Sequence, residues 1–255
     1  MKGIAANITL LEFGLPVLER PRRAAELGFD AIECLFPYDL GRGIFAEALD
    51  GANLALVLIN TPVSGWDHGD RGRAAVPGEA KAFRKELKQA MRYAKSCGAP
   101  MLHIMSGTTD APGARDTLVD NLRAAADAQP DLTLTIEPLN PGDAPGYWLN
   151  SFERAAEVLD AVDRPNVALQ FDSWHAHRIH GDAAGVWREH GHRAAHVQIA
   201  GLDGRGAPDP GHPEEARLYA AMVESVYDGW VSVEYPDPDP QDAEWLSTLR
   251  SALAA

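Results

Sequence analysis

The chain has 255 residues, of which 45% are hydrophobic and 24% are charged. This composition is typical of a globular protein with a buried core, and it excludes disordered and fibrous proteins. The formal net charge of −14 repels nucleic-acid phosphates and anionic lipid. We therefore expect neither a nucleic acid nor a membrane as a partner.

The N-terminal segment and the cysteines bear on the compartment. The segment MKGIAANITLLEF has one lysine, no long apolar core and no small-residue cleavage site. No part of the chain approaches the run of about 18 apolar residues that spans a membrane, so we expect a cytoplasmic protein. Cys34 and Cys97 are too few for a disulfide framework or a thiolate metal site, and both are expected to be inert packing residues.

Apolar runs bounded by turn residues predict strands that alternate with helices along the chain. Gly98 is suited to cap the C-terminus of one predicted helix, and Ser151 the N-terminus of another. In chain order, the predicted strand and helix pairs are 3–8 with 16–27, 31–36 with 43–50, 54–60 with 77–97, 101–105 with 112–129, 132–136 with 151–162, 167–171 with 182–190, 195–199 with 213–226, and 230–233 with 241–253.

This alternation predicts an α/β fold with a parallel sheet whose faces are covered by helices. No linker or compositional break divides the chain, so residues 1–255 are expected to form a single domain. At this length, eight units fit a closed (β/α)8 TIM barrel. The alternative is an open doubly wound sheet, but no G-x-G-x-x-G motif follows the first strand. The sequence leaves open whether the protein forms a homo-oligomer.

In a barrel of this kind the active site lies at the carboxyl ends of the strands. A polar residue lies at or near the carboxyl end of every predicted strand: Asn7, Glu33, Asn60, His103, Glu137, Asp172, Gln198 and Glu234. The carboxylates of Glu137, Asp172 and Glu234 would converge near one axis. Like charges that close cannot all stay ionised unless a cation or protons neutralise them.

A divalent metal ion resolves this conflict. Hard oxygen ligands favour Mg²⁺ or Mn²⁺ over zinc or copper. We expect the metal ligands to be Glu137, Asp172, Gln198 and Glu234, with the amide carbonyl of Gln198 completing the set. Two coordination positions would remain for substrate or water, which suits chelation of an α-hydroxy ketone or an α-keto acid.

Five histidines follow the sixth strand: His175, His177, His180, His190 and His192. Their spacing does not fit the i, i+4 pairs of helical zinc sites, and most are expected to be solvated. His175 stays near the mouth, three residues after Asp172, and is a candidate for substrate binding. His103 ends the fourth strand and is either a substrate-binding or a core residue, whereas His196 is expected to be a satisfied core histidine.

Two arginines are candidate anchors for a substrate carboxylate, because a guanidinium binds a carboxylate through two parallel hydrogen bonds. Arg205 lies in GLDGRGAPDPG after the seventh strand. Arg71 lies in SGWDHGDRGRAAVPG after the third strand, a long loop that is a candidate lid. For each, the alternative is a solvated surface arginine. Tyr147 or Trp148 could wall the pocket or pack on the barrel rim.

Eight segments carry a resemblance to a known family: AANITLLEF, IECLFPYD, NTPVSGWDHGDRG, LHIMSG, IEPLNPGDAPGYWLN, FDSWH, HVQIAG and DGWVSVEY. Together they resemble the hydroxypyruvate isomerase family, within the xylose-isomerase-like TIM barrel superfamily. The resemblance covers almost the whole chain, and its most specific pieces lie at 36–39 and 196–200. It implies that Glu137, Asp172, Gln198 and Glu234 are the metal-site positions and that Glu137 and Glu234 exchange the protons of the substrate.

The resemblance implies an intramolecular aldose–ketose isomerase acting on a small 2-oxo or hydroxy acid, such as hydroxypyruvate, which it converts to tartronate semialdehyde through an enediolate. A 2-oxo-tetronate isomerase or a free-ketose 3-epimerase would need the same glutamates and metal. A non-catalytic sugar-acid binding protein would not need two opposed carboxylates. A metal-dependent abasic-site nuclease would need a histidine-rich multi-metal cluster and a basic groove, which the net charge of −14 argues against.

One loop departs from the family pattern. Family members usually carry Gly-Arg-His-Glu-Pro-Gly after the seventh strand, whereas residues 204–213 read GRGAPDPGHP. Arg205 matches, but the histidine and glutamate next to it are missing. Because this loop contacts substrate in related epimerases, the resemblance leaves the identity of the substrate open.

Overall fold

The computed structural model describes residues 1–237, 239–240 and 243–254. Within them, the strands in chain order are β1 Gly3–Asn7, β2 Ala31–Glu33, β3 Ala55–Leu56, β4 Leu58–Asn60, β5 Met101–His103, β6 Thr133–Ile136, β7 Val167–Asp172, β8 Ala194–Ile199 and β9 Trp230–Val233. The surrounding helices are α1 Arg20–Glu26, α2 Arg42–Ala52, α3 Ala80–Cys97, α4 Ala114–Ala128, α5 Phe152–Val162, α6 Ser173–His180, α7 Ala183–His190, α8 Pro213–Glu224 and α9 Trp245–Ala254.

The parallel strands form one sheet in the order β3-β2-β1-β9-β8-β7-β6-β5-β4, and its two edges meet to make a nearly closed barrel. The predicted strand 54–60 is divided, so that β3 pairs with β2 and β4 pairs with β5. At the junction, the Val57 amide donates to the Ile32 carbonyl at 2.8 Å, and the Asn60 amide donates to the Leu35 carbonyl at 2.9 Å. One segment serves both edges because barrel strands are tilted and staggered. The predicted TIM barrel is confirmed.

Helix α6 is an element that the sequence analysis did not predict. Asp172 caps its N-terminus, because the Oδ1 atom accepts a hydrogen bond from the His175 amide at 2.9 Å. The segment is polar and rich in histidine, so it lacks the apolar periodicity by which helices are predicted. As a result, His175 lies in the first turn of a helix that starts at the barrel mouth.

The other helices differ from prediction mainly at their ends, where local signals are weakest. Helix α1 begins at Arg20 instead of residue 16, and α3 begins at Ala80 instead of residue 77. Strand β2 ends at Glu33, three residues before its predicted end. Gln241, where the last helix was predicted to begin, lies outside the described residues, and α9 begins at Trp245.

The barrel interior contains an apolar cluster and a set of buried polar side chains. Side chains of a barrel strand alternate between the interior and the helix layer. The apolar interior cluster consists of Ala5, Ala31, Val57, Leu58 and Met101. Thr135 in β6, Gln170 in β7 and His196 in β8 are buried and polar. A layer of hydrogen-bonding groups therefore lies beneath the strand ends of the second half.

The structure also bears on the predictions about compartment. Cys34 is buried, and burial raises the pKa of its thiol to about 11. Cys97 is half-buried, and burial raises the pKa of its thiol as well. Both thiols are therefore protonated at neutral pH, as expected of inert packing residues. Among the described residues, no helix has the length and apolar character needed to span a bilayer, and the cytoplasmic location stays a prediction.

Val226 gives a stability test of the fold. It follows the C-cap residue Ser225 of α8, and its φ of 55° lies in the left-handed region, which costs a non-glycine residue about 1–2 kcal/mol. The side chain is 82% exposed, so it contributes little packing. We expect Val226→Gly to raise the free energy of unfolding by about 0.5–1 kcal/mol, measured by urea denaturation. The matched variant Val226→Ala keeps the strain, and equal stabilisation by both variants would contradict this explanation.

Candidate active site

The carboxyl ends of the strands enclose a cavity of about 130 Å³. Seven of the candidate residues line it: Arg71, His103, Glu137, His175, Gln198, Arg205 and Glu234. The eighth, Asp172, is buried beside it, with its Oδ2 atom 3.9 Å from Nη2 of Arg205. The structure thus brings together the eight residues that were predicted to transfer protons or to bind metal or substrate, while these roles stay predictions.

Glu137 follows β6 and is 5% exposed. Its Oε2 atom accepts a hydrogen bond from Nε2 of Gln170 at 2.9 Å and lies 3.5 Å from Nδ1 of His103. Burial raises the pKa of the Glu137 carboxyl well above its usual value, and the negative charges of Glu234 and Asp172 raise it further. This carboxyl therefore holds a proton more tightly than an exposed glutamate does.

Glu234 follows β9 and is 7% exposed. Its Oε1 atom lies 3.4 Å from Nη2 of Arg205, and its Oε2 atom has no hydrogen-bond partner among the described residues. Burial raises the pKa of this carboxyl well above its usual value, with further increases from the charges of Glu33 and Asp172. The positive charge of Arg205 and a hydrogen bond with Asn7 oppose the shift without cancelling it.

Asp172 ends β7, and its two carboxylate oxygens have different surroundings. Oδ1 caps helix α6 by accepting from the His175 amide. Oδ2 is buried and has no hydrogen-bond partner among the described residues. A buried carboxylate oxygen without a partner is costly, so this atom is suited to bind a ligand or a cation.

His175 has a defined tautomer. Oδ1 of Asn140 accepts from the backbone amides of Gly142 and Asp143, so the Asn140 amide group turns its Nδ2 toward the imidazole. Both Nδ2 and the backbone N of Asn140 donate to Nδ1 of His175, at 2.8 and 3.1 Å. Burial lowers the pKa of His175, so the ring is neutral at pH 7. The remaining proton is then on Nε2, which lies 3.8 Å from Oε1 of Glu137 and acts as a donor.

His103 ends β5 and is 1% exposed, and neither ring nitrogen has a hydrogen-bond partner among the described residues. Burial lowers its pKa to about 3, with smaller contributions from His196 and His175. The ring is therefore neutral, and its single N–H group forms no hydrogen bond with the described residues. Because His103 lines the cavity, this N–H group is suited to a substrate oxygen, which favours the substrate-binding alternative over the core one.

A polar layer that the sequence analysis missed lies beneath the cavity. Oε1 of Gln170 accepts from the Thr135 hydroxyl at 2.9 Å. Nε2 of Gln170 donates to Oε2 of Glu137 and to Oε1 of Gln198, at 2.9 and 2.7 Å. Gln170 precedes Asp172 by two residues and faces the same side of β7. The alternation of polar residues in VALQFD was the signal that could have revealed it.

Glu33 is the acceptor at the end of this hydrogen-bond chain, and it is fully buried. Its Oε1 atom accepts from Nε2 of Gln198 at 2.7 Å and from Nδ2 of Asn7 at 2.8 Å. Its Oε2 atom lies 2.7 Å from Nε2 of His196. Since a carboxylate accepts and does not donate, Glu33 fixes the orientation of the Gln198 amide. Nδ1 of His196 has no partner among the described residues, so only one nitrogen of this predicted satisfied histidine is paired.

Arg205 is held over the cavity by a folded loop. Its φ is 56°, and its backbone amide donates to the Gly201 carbonyl at 3.1 Å. Buried Glu215 binds the loop at two points, accepting from the amides of Leu202 and Asp209 at 3.0 and 2.8 Å. Burial lowers the pKa of the Arg205 guanidinium. The nearby acidic side chains, of which Asp172 contributes most, raise it by more, so the net shift is upward. Arg205 is therefore a half-buried cation of the site.

Arg71 and Trp66 belong to the loop that was predicted as a lid. The guanidinium of Arg71 lies 3.7 Å from the centre of the Trp66 ring, and both residues line the cavity. The loop is anchored through Gly72, which has a φ of 93° and bridges to Ser106. A Cβ atom at Gly72 would lie 2.4 Å from that of Met105, so only glycine permits this close approach. Trp66 lies within the predicted loop, but no sequence signal distinguished it from its neighbours.

Tyr147 and Trp148 do not line the cavity. Tyr147 is 1% exposed, and its hydroxyl accepts a hydrogen bond from the Ser106 amide at 3.0 Å. The guanidinium of Arg154 lies over the Trp148 side chain, 5.0 Å from the centre of the Trp148 ring. Both therefore stabilise the barrel rim, which was the second of the two predicted alternatives.

The remaining histidines of the cluster lie outside the cavity. His177 and His180 are half-buried, beside Glu214 and Glu153 respectively, and His192 is exposed. His190 is 6% exposed, so the expectation that the downstream histidines are solvated is wrong for this residue. Its ring centre lies 6.0 Å from that of Phe152, because the face of helix α7 that carries His190 packs toward the core.

The buried acidic residues fit a metal ion. Glu137, Asp172 and His175 each offer a ligand atom, and these atoms lie within 4.8 Å of one another. The unpartnered oxygens of Asp172 and Glu234 are the hard donors that Mg²⁺ and Mn²⁺ prefer. Because Nε2 of His175 carries the ring proton, a neutral His175 donates a hydrogen bond instead of ligating. Glu234 is not part of the group of three, and the ligand set of Glu137, Asp172, Gln198 and Glu234 stays a prediction.

Comparison with known proteins agrees with this barrel. The family model of the xylose isomerase-like TIM barrel matches residues 21–254. Hydroxypyruvate isomerase of Escherichia coli (strain K12) is 32% identical over 258 residues, which cover 98% of this chain and 100% of the relative. The 2-oxo-tetronate isomerase of Cupriavidus necator is 34% identical over 241 residues, which cover 92% of this chain and 93% of the relative.

A crystal structure described as AP endonuclease, family 2, from Brucella melitensis superposes with a TM-score of 0.90 and 36% identity, covering 97% of this chain and 99% of that chain. The curated relatives bear isomerase names, which confirms the resemblance to the hydroxypyruvate isomerase family and the prediction of an isomerase. With the family model matched over residues 21–254, the chain belongs to the xylose isomerase-like TIM barrel family.

Proposed function

We propose that the protein converts hydroxypyruvate to tartronate semialdehyde as an intramolecular aldose–ketose isomerase. Relatives named hydroxypyruvate isomerase and 2-oxo-tetronate isomerase support an isomerase acting on small acids. The observation that carries the proposal is the pair of buried glutamates, Glu137 and Glu234. Both line one small cavity, and the charge of Glu234 raises the pKa of Glu137.

The two glutamates would transfer the protons of the reaction. A proton leaves C3 of hydroxypyruvate to give the enediolate, and a proton is then added at C2, while the hydroxyl proton on O3 is lost and O2 gains one. One glutamate takes the carbon-bound proton and the other returns one to the adjacent carbon. Because burial and neighbouring negative charges raise the pKa of both, one can be protonated while the other is ionised.

Neutral side chains around the glutamates would hold the substrate oxygens. His175 presents an N–H group on Nε2, and neutral His103 has an N–H group that forms no hydrogen bond within the described part of the chain. These donors are fixed by burial, so they need little reorganisation as negative charge develops on the enediolate. His103 and His175 therefore orient the substrate without carrying positive charge.

A divalent cation, which we propose to be Mg²⁺ or Mn²⁺, would be held by Glu137, Asp172, Gln198 and Glu234. Such an ion supplies positive charge that stabilises the negative charge developing on the two substrate oxygens. Glu33 and Gln170 support this donor set, since their hydrogen bonds orient the Gln198 amide.

Arg205 is the first candidate to bind the substrate carboxylate. Its Nη1 atom lies 3.5 Å from Oδ2 of Asp143, and its Nη2 atom lies 3.4 Å from Oε1 of Glu234. A substrate carboxylate in the cavity would accept further hydrogen bonds from this guanidinium. Arg71 lies over Trp66 at the edge of the cavity and is the second candidate. The cavity of about 130 Å³ is smaller than the roughly 300–1,000 Å³ that hold drug-sized ligands, which favours three- and four-carbon acids.

Two alternatives have support from named proteins. A four-carbon 2-oxo acid fits the same chemistry, and one relative is named 2-oxo-tetronate isomerase.

The Brucella melitensis protein is described as an AP endonuclease, but the net charge of −14 opposes binding to DNA. In the described part of the chain, Glu137, Asp172 and His175 form the one group of three His, Cys, Asp or Glu side chains close enough to share an ion. We therefore rank the isomerase first.

Replacement of the two glutamates tests the proton transfer. We expect Glu137→Gln and Glu234→Gln each to lower kcat for hydroxypyruvate by about 10²–10⁴-fold, because a glutamine side chain cannot accept or return the proton. The measurements are turnover and incorporation of solvent deuterium at the reacting carbons. Exposed Glu157→Gln is the control and should keep full activity. Near-normal turnover in both site variants would refute the assignment.

Replacement of the arginines tests the carboxylate anchor. We expect Arg205→Met to raise KM for hydroxypyruvate by about 10–100-fold, since hydrogen bonds between charged groups contribute about 1.5–3 kcal/mol. Arg71→Met should have a smaller effect. A panel of 2-oxo acids and free ketoses of three to six carbons, assayed with and without a chelator, measures which substrates lose affinity. An equal loss for acids and ketoses in Arg205→Met would exclude a carboxylate anchor.

Stability without metal tests the burial of charge. The pKa of Glu137 is raised above its ordinary 4.5, so the stability it contributes is present below about pH 4.5 and is lost as pH rises. We expect chelator-treated Glu137→Gln to melt at higher temperature than the wild type, by a margin that widens from pH 5 to pH 8. Each kcal/mol corresponds to about 2–4 °C at this size.

Addition of Mg²⁺ or Mn²⁺ should raise the Tm of the wild type more than that of Glu137→Gln, because the variant lacks one ligand. Exposed Glu157→Gln should follow the wild type throughout. Identical melting curves of wild type and Glu137→Gln at pH 8, with and without metal, would argue against both the raised pKa and the metal site.

A further inference from the structure

A second concave surface lies on the outside of the barrel, between residues 38–42 and helix α3. We define this basic groove by the side chains of Tyr38, Arg42, Lys85, Lys88, Arg92 and Tyr93. Its volume is about 540 Å³, and it shares no lining residue with the cavity at the strand ends. The proposed isomerase chemistry therefore leaves it without a role.

The groove concentrates positive charge in a chain with a formal net charge of −14. Helix α3 carries four of the five lysines in the sequence, together with two arginines: Lys81, Arg84, Lys85, Lys88, Arg92 and Lys95. Its only acidic residue, Glu86, pairs with Arg73 at 2.7 Å. Residues 81, 85, 88, 92 and 95 recur at helical spacing and share one face. Repulsion between such like charges destabilises a helix unless anions neutralise them.

These cations lack protein partners. Among the described residues, Lys85, Lys88 and Arg92 form no ion pair within 4.0 Å. Elsewhere on the surface, Arg164 and Arg193 each lie 2.6 Å from an aspartate. The groove therefore gathers three cations without an ion pair on one face of α3, among the described residues.

The groove also contains a buried hydroxyl without a partner. Tyr93 is 2% exposed, and its hydroxyl forms no hydrogen bond with any described residue. A buried hydroxyl that forms no hydrogen bond is costly, so a ligand that accepts one is favoured. Arg42 is already oriented beside it, because its Nη1 atom donates to the Arg92 carbonyl and the Ser96 hydroxyl, at 3.5 and 3.4 Å.

We propose that the basic groove binds a small anion that carries two or more phosphate or carboxylate groups. The cations on successive turns of α3 would contact separate anionic groups, and the Tyr93 hydroxyl would donate to one of them. A small ligand is favoured over a long polyanion, because the rest of the surface is more negative than the chain as a whole and repels a polymer that extends beyond the groove.

Calorimetric titration of the full-length, chelator-treated protein tests this proposal. The probes are inorganic pyrophosphate and citrate, at an ionic strength of about 0.15 M, where charges are screened within about 8 Å. We expect the wild type to bind at least one probe with a Kd below about 1 mM. The double variant Lys88→Gln/Arg92→Gln should weaken binding at least about tenfold, because it removes two charged donors.

Matched variants separate the groove from general charge effects. Lys81→Gln/Lys95→Gln removes the same charge from the same helix outside the groove lining, and it should bind as the wild type does. Tyr93→Phe should weaken binding while leaving Tm unchanged or higher, a combination that a purely structural role would not produce. Arg205→Met tests for binding at the strand ends and should leave the titration unchanged.

The outcomes decide between ligands and against the proposal. Binding of pyrophosphate alone identifies a phosphate ligand, binding of citrate alone a carboxylate ligand, and binding of both supports the site without distinguishing them. The proposal is overturned if neither probe binds, if the Lys81/Lys95 control loses as much affinity as the groove variant, or if Arg205→Met abolishes binding. It is equally overturned if sedimentation shows that the groove variant converts an oligomer to a monomer, or if a DNA duplex binds the groove more tightly than either probe.

Discussion

The burial of three carboxylates around one small cavity is the constraint on which the rest of the site depends. Glu137, Asp172 and Glu234 are each less than a tenth exposed, and like charges in such surroundings repel strongly. Arg205 lies within 4 Å of two of them but balances only one charge. The excess negative charge keeps a proton on a glutamate or attracts a divalent cation. Both outcomes suit chemistry in which protons move at adjacent carbons while negative charge develops on oxygen.

A hydrogen-bond chain inside the barrel keeps these carboxylates in place. Thr135 donates to Gln170, Gln170 donates to Glu137 and Gln198, and Gln198 donates to Glu33. Every amide orientation in the chain follows from the fact that a carboxylate accepts and does not donate. Strands supply the proton-transfer and metal-binding candidates, while Arg205 and Arg71 lie on loops. This division holds the reacting groups rigid and leaves the substrate-recognition groups free to differ between relatives.

The alternation of strands and helices was readable from the sequence because apolar runs and turn residues are local signals. The polar residues at the strand ends were readable for a related reason, since parallel strands in a barrel bring their carboxyl ends to the same edge. The division of the segment 54–60 into β3 and β4 was not readable, because it depends on how the tilted strands close the barrel. Helix α6 was missed because Asp172 and the histidines after it carry no apolar periodicity.

The sequence by itself determined the fold class and the identity of the residues at the cavity, because chain order and side-chain period are properties of the chain alone. Only the tertiary structure decided the protonation of those residues. The neutral state of His175, the raised pKa of Glu137 and the orientation of the Gln198 amide each depend on groups that are distant in sequence. Desolvation and electrostatic coupling act through space, so they exist only once the barrel has closed around these side chains.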